Sequence, residues 1–174
     1  AMYGRLTKAV AEDLNARQSL DPAYSRNGYS MLAGYQTKDF EISAILFGAE
    51  DDENSIIDPI NFDITPAENI VASLTARKAF SNKVVLDAEF ARSGYNADSR
   101  SLESPSFFTG VSNRFLGLFQ AKETATFGNA INTGVTFNQT KYSFRLGYEK
   151  IDRGFKTLGA LFFNSDLEHY TGVV

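Results

Sequence analysis

Apolar and polar side chains alternate with a period of two along most of this chain, and that period belongs to strands with two unlike faces. Tyr29, Met31, Ala33 and Tyr35 fall on one side of their segment, and Phe40, Ile42, Ala44 and Leu46 do the same in the next. Ile70, Ala72, Leu74 and Ala76 alternate with Asn69, Val71, Ser73, Thr75 and Arg77. Val84, Leu86, Ala88 and Phe90 stand against Val85, Asp87, Glu89 and Ala91, and Ile131, Thr133, Val135 and Phe137 against Ala130, Asn132, Gly134 and Thr136. Tyr142, Phe144, Leu146 and Tyr148 alternate most cleanly, with Ser143, Arg145, Gly147 and Glu149 between them. Further strands are expected near 2–12 and 166–174, which makes about eight strands of about ten residues and no amphipathic helix. The stretch from Phe107 to Phe119 reads as a loop with room for one helical turn.

The connections sort by length. Thr37-Lys38-Asp39, Ser81-Asn82-Lys83 and Asn138-Gln139-Thr140-Lys141 are tight, whereas about 13–27, 49–67, 92–125 and 152–166 are long. Long and short alternate in strict order. A sheet with water at both ends has no reason to sort its loops this way, but a barrel crossing a bilayer does. Ten residues at about 3.3 Å each, tilted by about 40°, span close to the 25 Å apolar band of an outer membrane. All three tight turns should therefore lie on one rim.

Composition narrows the class. The 174 residues suit one domain, 1–174, and no apolar run reaches the roughly 18 residues of a membrane helix. A net charge of −4 argues against a nucleic-acid partner. With no cysteine there is no disulfide scaffold, thiolate zinc site or thiol nucleophile. The chain opens and stops within apparent strand, with no signal peptide, so a segment of a longer protein is expected.

The polar face carries Glu41, Arg77, Asp87, Glu89, Arg145 and Glu149 among Ser, Thr, Asn and Gly. In a lipid-embedded barrel these six residues line the lumen, their carboxylates paired with the arginines, while the apolar face meets lipid. Tyr29, Tyr35, Phe40, Phe80, Tyr142 and Tyr148 lie near strand ends, where an interfacial aromatic girdle sits. A soluble antiparallel sandwich, binding a small molecule or glycan, has the same alternation and is the alternative.

Candidate chemistry is sparse. Glu50-Asp51-Asp52-Glu53 is the densest acidic run and offers hard oxygen ligands to calcium, with Asp58, Asp63 and Glu68 as possible additions. Its spacing lacks the glycine and glutamate of an EF-hand, so a solvated acidic loop tip is the plainer expectation. Asp87 and Glu89, two apart on one face, are placed for acid–base work, but nearby Arg77 and Arg145 make ion pairing simpler. His169, the single histidine, adjoins Glu168 and Tyr170. No serine sits in a nucleophile elbow, so a surface histidine and a protein without catalysis are expected, with no cofactor. An outer-membrane hydrolase using rim carboxylates is a further alternative.

The tract Tyr148-Glu-Lys-Ile-Asp-Arg-Gly-Phe-Lys-Thr-Leu-Gly-Ala-Leu-Phe-Phe-Asn-Ser-Asp-Leu-Glu168 resembles a stretch of large porin-like outer-membrane β-barrel proteins of Bacteroidota. So do Tyr3-Gly-Arg-Leu-Thr-Lys-Ala-Val10, with Ala11-Glu-Asp13 after it, and Ala49-Glu-Asp-Asp-Glu-Asn-Ser55. The resemblance implies an outer-membrane location, a lipid bilayer and other surface proteins as partners, and no reaction. The expectation is an all-β, up-and-down antiparallel membrane barrel, whole or part of a larger one. Its role would be structural or porin-like transport, with the long loops outside.

Overall fold

The computed structural model of the protein describes residues 1–13, 21–81, 83–103, 114–115, 117–160 and 164–174. The alternating segments form ten strands: β1 (Met2–Thr7), β2 (Ser25–Gln36), β3 (Phe40–Asp52), β4 (Glu68–Ser81), β5 (Val84–Asn96), β6 (Arg114–Phe115), β7 (Phe119–Gln120), β8 (Ala125–Asn138), β9 (Ser143–Ile151) and β10 (Leu167–Val173). Eight of them make one antiparallel up-and-down sheet in the order β1-β2-β3-β4-β5-β8-β9-β10. The short β6 and β7 pair separately, around Gly117, whose φ of 72° favours a residue without a Cβ. No helix occurs among the described residues.

In such a meander successive connections alternate ends, so the tight turns share one end and the long loops the other. At the short-turn end, Thr37 and Phe40 close the β2–β3 hairpin through Thr37 N–H to Phe40 O (2.7 Å). Gln139 N–H donates to Tyr142 O across β8–β9. Asn82, in the third expected turn, lies outside the described residues, as do 107–113 and 116 of the ambiguous 107–119 stretch.

Three strand ends differ from those read along the sequence. β3 continues through Asp52 and β5 through Asn96, because their ladders to β2, β4 and β8 persist that far. β1 stops at Thr7, after a register shift between Arg5 and Thr7. Among the described residues the sheet does not close, and β1 and β10 are its outer strands.

Burial is concentrated at the long-loop end, where loops cover both faces of β4, β5 and β8. On the apolar face Phe119, 1% exposed, rests in the notch at Gly94, where an added Cβ would stand 2.9 Å from its ring. Phe127 meets the Phe119 ring edge-on, with centroids 6.0 Å apart. On the polar face the backbone of Gly154 and Phe155 lies against Gly128, where any side chain would collide. Phe155 there packs with Ala91 and Ile151. Each buried phenylalanine contributes about 1.5–3 kcal/mol by leaving water.

Candidate functional site

The six charged residues assigned from the sequence share one face. Ladder pairing aligns Glu41, Arg77, Asp87, Gly134, Gly147 and Thr171 in one row across the sheet. The next row holds Thr75, Glu89, Asn132, Glu149 and His169. Arg145 Nη1 and Nη2 grip the two Asp87 oxygens at 2.6 and 2.7 Å, and Nη1 also donates to Thr136 Oγ1 at 3.2 Å. The guanidinium crosses β8 over Gly134, where a Cβ would overlap it. This fork geometry is the strong form of an ion pair, although both groups remain partly exposed. His169 Nε2 lies 3.5 Å from Glu149 Oε2, which places the histidine on the same charged face. Arg77 stands in register with Glu41 and Asp87 while the Asp87 carboxylate turns to Arg145.

Below the Phe119 loop, nothing among the described residues covers the opposite face. Tyr29, Met31, Ala33 and Tyr35 lie on it between Asn27 and Thr37; Ile70, Ala72, Leu74 and Ala76 between Glu68 and Lys78; Ile131, Thr133, Val135 and Phe137 between Asn129 and Gln139. Leu74 is 49% exposed and Leu146 46%, against 1% for Ile70 beneath the Phe119 loop.

The acidic run does not form a loop tip, contrary to expectation. β3 carries it to Asp52, so alternation turns Asp51 to one face and Glu50 and Asp52 to the other. Asp51 is buried and accepts from Arg26 Nε (2.8 Å), Arg26 Nη2 (2.9 Å) and Ala67 N–H (2.9 Å). Asp52 accepts from Asn54 N–H, and Glu53 from Ser99 Oγ. Glu68 reaches Asn96 Nδ2, and Asp58 belongs to a separate loop cluster. These carboxylates diverge, and among the described residues no group of three His, Cys, Asp or Glu is placed to hold a metal ion.

The long loops are tied to one another. Tyr24 Oη donates to Asp58 Oδ1 at 2.5 Å, and Arg100 Nη1 contacts both Asp58 oxygens at 2.8 and 2.9 Å. The tyrosine hydroxyl and the guanidinium hold the Asp58 carboxyl below its usual range, while burial and Asp58 push the Tyr24 phenol up. Glu12 accepts from the Ile60 N–H (2.7 Å) and from Asn61, which also lowers its pKa.

Two asparagines unremarked as candidates in the sequence fasten the loops to the sheet. Asn69 Nδ2 donates to Gly94 O and Lys156 O, and its Oδ1 accepts from Leu158 N–H. Asn96 Nδ2 donates to Gln120 O, and its Oδ1 accepts from Lys122 N–H. Glycines inside strands, here Gly94 and Gly128, are the sequence signal of such close approach. No protein-family model, curated protein or solved structure matches the chain.

Proposed function

We propose that the chain forms the wall of an outer-membrane β-barrel with a structural or porin-like transport role, its charged face lining the lumen and its long loops outside. One observation carries the reading: the apolar band, bare below the Phe119 loop, has four positions per strand on β2, β4 and β8, with Ile70 under that loop and Thr133 among them, and polar residues ten positions apart at its two limits. Ten residues along a strand tilted by about 40° correspond to roughly 25 Å, the height of the apolar band of outer-membrane barrels.

The band also slopes against the hydrogen-bond ladder, which supports the same reading. Its upper polar limits Asn27, Glu50 and Glu68 are in register, but Arg92 is four residues below Asn96, the partner of Glu68. Arg92's row continues to Asn129, and Lys150 pairs with Ile131, two residues lower again. Averaged over the sheet this is a slope of about 30°, near the tilt of strands relative to a barrel axis.

The test is extraction and migration. The protein should leave membranes only with detergent, and should migrate differently on gels before and after heating. Release by salt or alkali, with no heat-dependent shift, overturns the reading. In planar bilayers, neutralising Arg77 and Arg145 should move ion selectivity towards cations. Unchanged selectivity in a conducting protein removes these residues from the path.

A further inference from the structure

Two cations stand on the apolar face at its upper limit, Arg92 on β5 and Lys150 on β9. We propose that they bind the phosphate headgroup of a membrane lipid whose acyl chains lie on the apolar band directly beneath. This rests on the membrane reading above and adds to it a lipid of defined headgroup.

Register places the two cations together. Arg92 pairs with Asn129 on β8, and Lys150 pairs with Ile131, two residues further down. Alternation from Phe90, Ile131 and Tyr148 turns Arg92, Asn129 and Lys150 to the apolar face. Along the slope of the band these three mark one level on neighbouring strands, with Phe90, Ile131 and Tyr148 each one step below. Two strand spacings, roughly 10 Å, separate the cations. Side chains of their length can close on one phosphate from both sides.

The wall supplies Arg92 with no anion. Its guanidinium lies over the Phe127 ring, 5.8 Å from the centroid, and its neighbour on β4 is Ala72. Its Nε is buried without an acceptor. Among the described residues neither Arg92 nor the exposed Lys150 makes an ion pair. A half-buried charge among apolar groups is costly until an anion meets it. The nearest carboxylates along these strands have other donors. Asp152 Oδ2 accepts from Asn129 N–H and Nδ2, both at 3.0 Å, and Glu168 Oε1 accepts from Tyr148 Oη at 3.2 Å. Arginine presents parallel N–H groups that match a phosphate. Phe90 and Ile131 are large and exposed, open ground for an acyl chain. A free anion would gain nothing from that surface, which favours a lipid as the source of the phosphate.

The probe is phosphatidylglycerol, with diacylglycerol of the same chains as the lipid lacking phosphate. The full chain is folded in nonionic detergent and titrated with either lipid, and the lipid retained per chain is counted by native mass spectrometry. One phosphatidylglycerol and no diacylglycerol should be retained. Arg92→Gln should lower retention about tenfold, and Lys150→Gln by a smaller factor, because each removes charge-assisted bonds to the phosphate. Lys141→Gln removes the same charge at the short-turn end and should leave retention unchanged. Equal loss from Lys141→Gln, or no loss from Arg92→Gln and Lys150→Gln, overturns the site. If inorganic phosphate at the same concentration displaces the lipid, the site takes a free anion and the lipid assignment fails. Heat-dependent migration checks the fold of each variant. Should Arg92→Gln lose it, Lys150→Gln, on an exposed side chain, decides alone. If the unmodified chain shows that migration but retains no lipid, the lipid site is wrong while the membrane reading stands. If the migration is lacking as well, the membrane reading has failed and the lipid site falls with it.

Discussion

The two ends of the sheet solve the burial problem in opposite ways. At the long-loop end β4, β5 and β8 are covered on both faces, by Phe119 over Gly94 and by residues 154–158 over Gly128, and Asn69 and Asn96 are buried with their amides bonded. Towards the short turns no loop among the described residues covers the same strands, and large apolar groups such as Leu74, and Leu146 on β9, stand about half exposed. One end stabilises itself with its own chain; under the proposed membrane function the other is covered by lipid.

The difference can be tested from its largest expected effect downward. Phe119→Ala removes a fully covered ring and should cost about 3–5 kcal/mol in denaturant unfolding from detergent. Phe90→Ala, on the bare band of β5, should cost far less, because detergent refills the space. Equal costs would erase the contrast. Leu146→Arg introduces charge in the band and should cost about 2–4 kcal/mol of folding into bilayers, while Gly147→Ser, one residue away on the charged face, should cost less, since only the Thr171 hydroxyl, 2.6 Å from an added Cβ, must turn aside. Folding yield in lipid vesicles reads both.

Asn69→Ala should cost about 1–3 kcal/mol, since Gly94 O and the Lys156–Leu158 segment lose their partners. Proteolysis within residues 153–160 should rise with it. The smallest effect concerns the loop ties made by Glu12 and Asp58. Both carboxyls have folded pKa values below their ordinary ones, so their stabilisation is full above the ordinary carboxylate range and is lost as pH falls through the lowered values. Hydrogen-exchange protection of the Ile60 amide should fall with acid in the native chain. Glu12→Gln should remove that pH dependence.

Much of this fold is local and was therefore legible in the sequence. Alternation in Tyr142–Tyr148 assigns each side chain to a face without any knowledge of its neighbours, and the same holds for the six charged residues. The long–short order of connections yields the up-and-down path once neighbours are assumed antiparallel. What stayed hidden depends on distant contacts. Nothing near Asp51 announces that Arg26 and Ala67 will bury it, so an acidic run read as a loop became the end of β3. Likewise Asp87 takes Arg145, 58 positions away, although Arg77 is opposite it on the adjacent strand. Fork geometry over a glycine decides that choice, and sequence spacing carries no trace of it.

The Arg145 bridge has a consequence for how the wall is assembled. A strand displaced by a single residue exchanges its faces, which for β9 would deliver Arg145 to the apolar face and Leu146 to the charged one. Only in the native alignment does the guanidinium find both the open space above Gly134 and the waiting carboxylate of Asp87. A misaligned β9 would therefore be rejected twice, once by the solvent and once by the missing partner. Together the arginine, the glycine and the aspartate favour the native alignment of β9 over its one-residue slip.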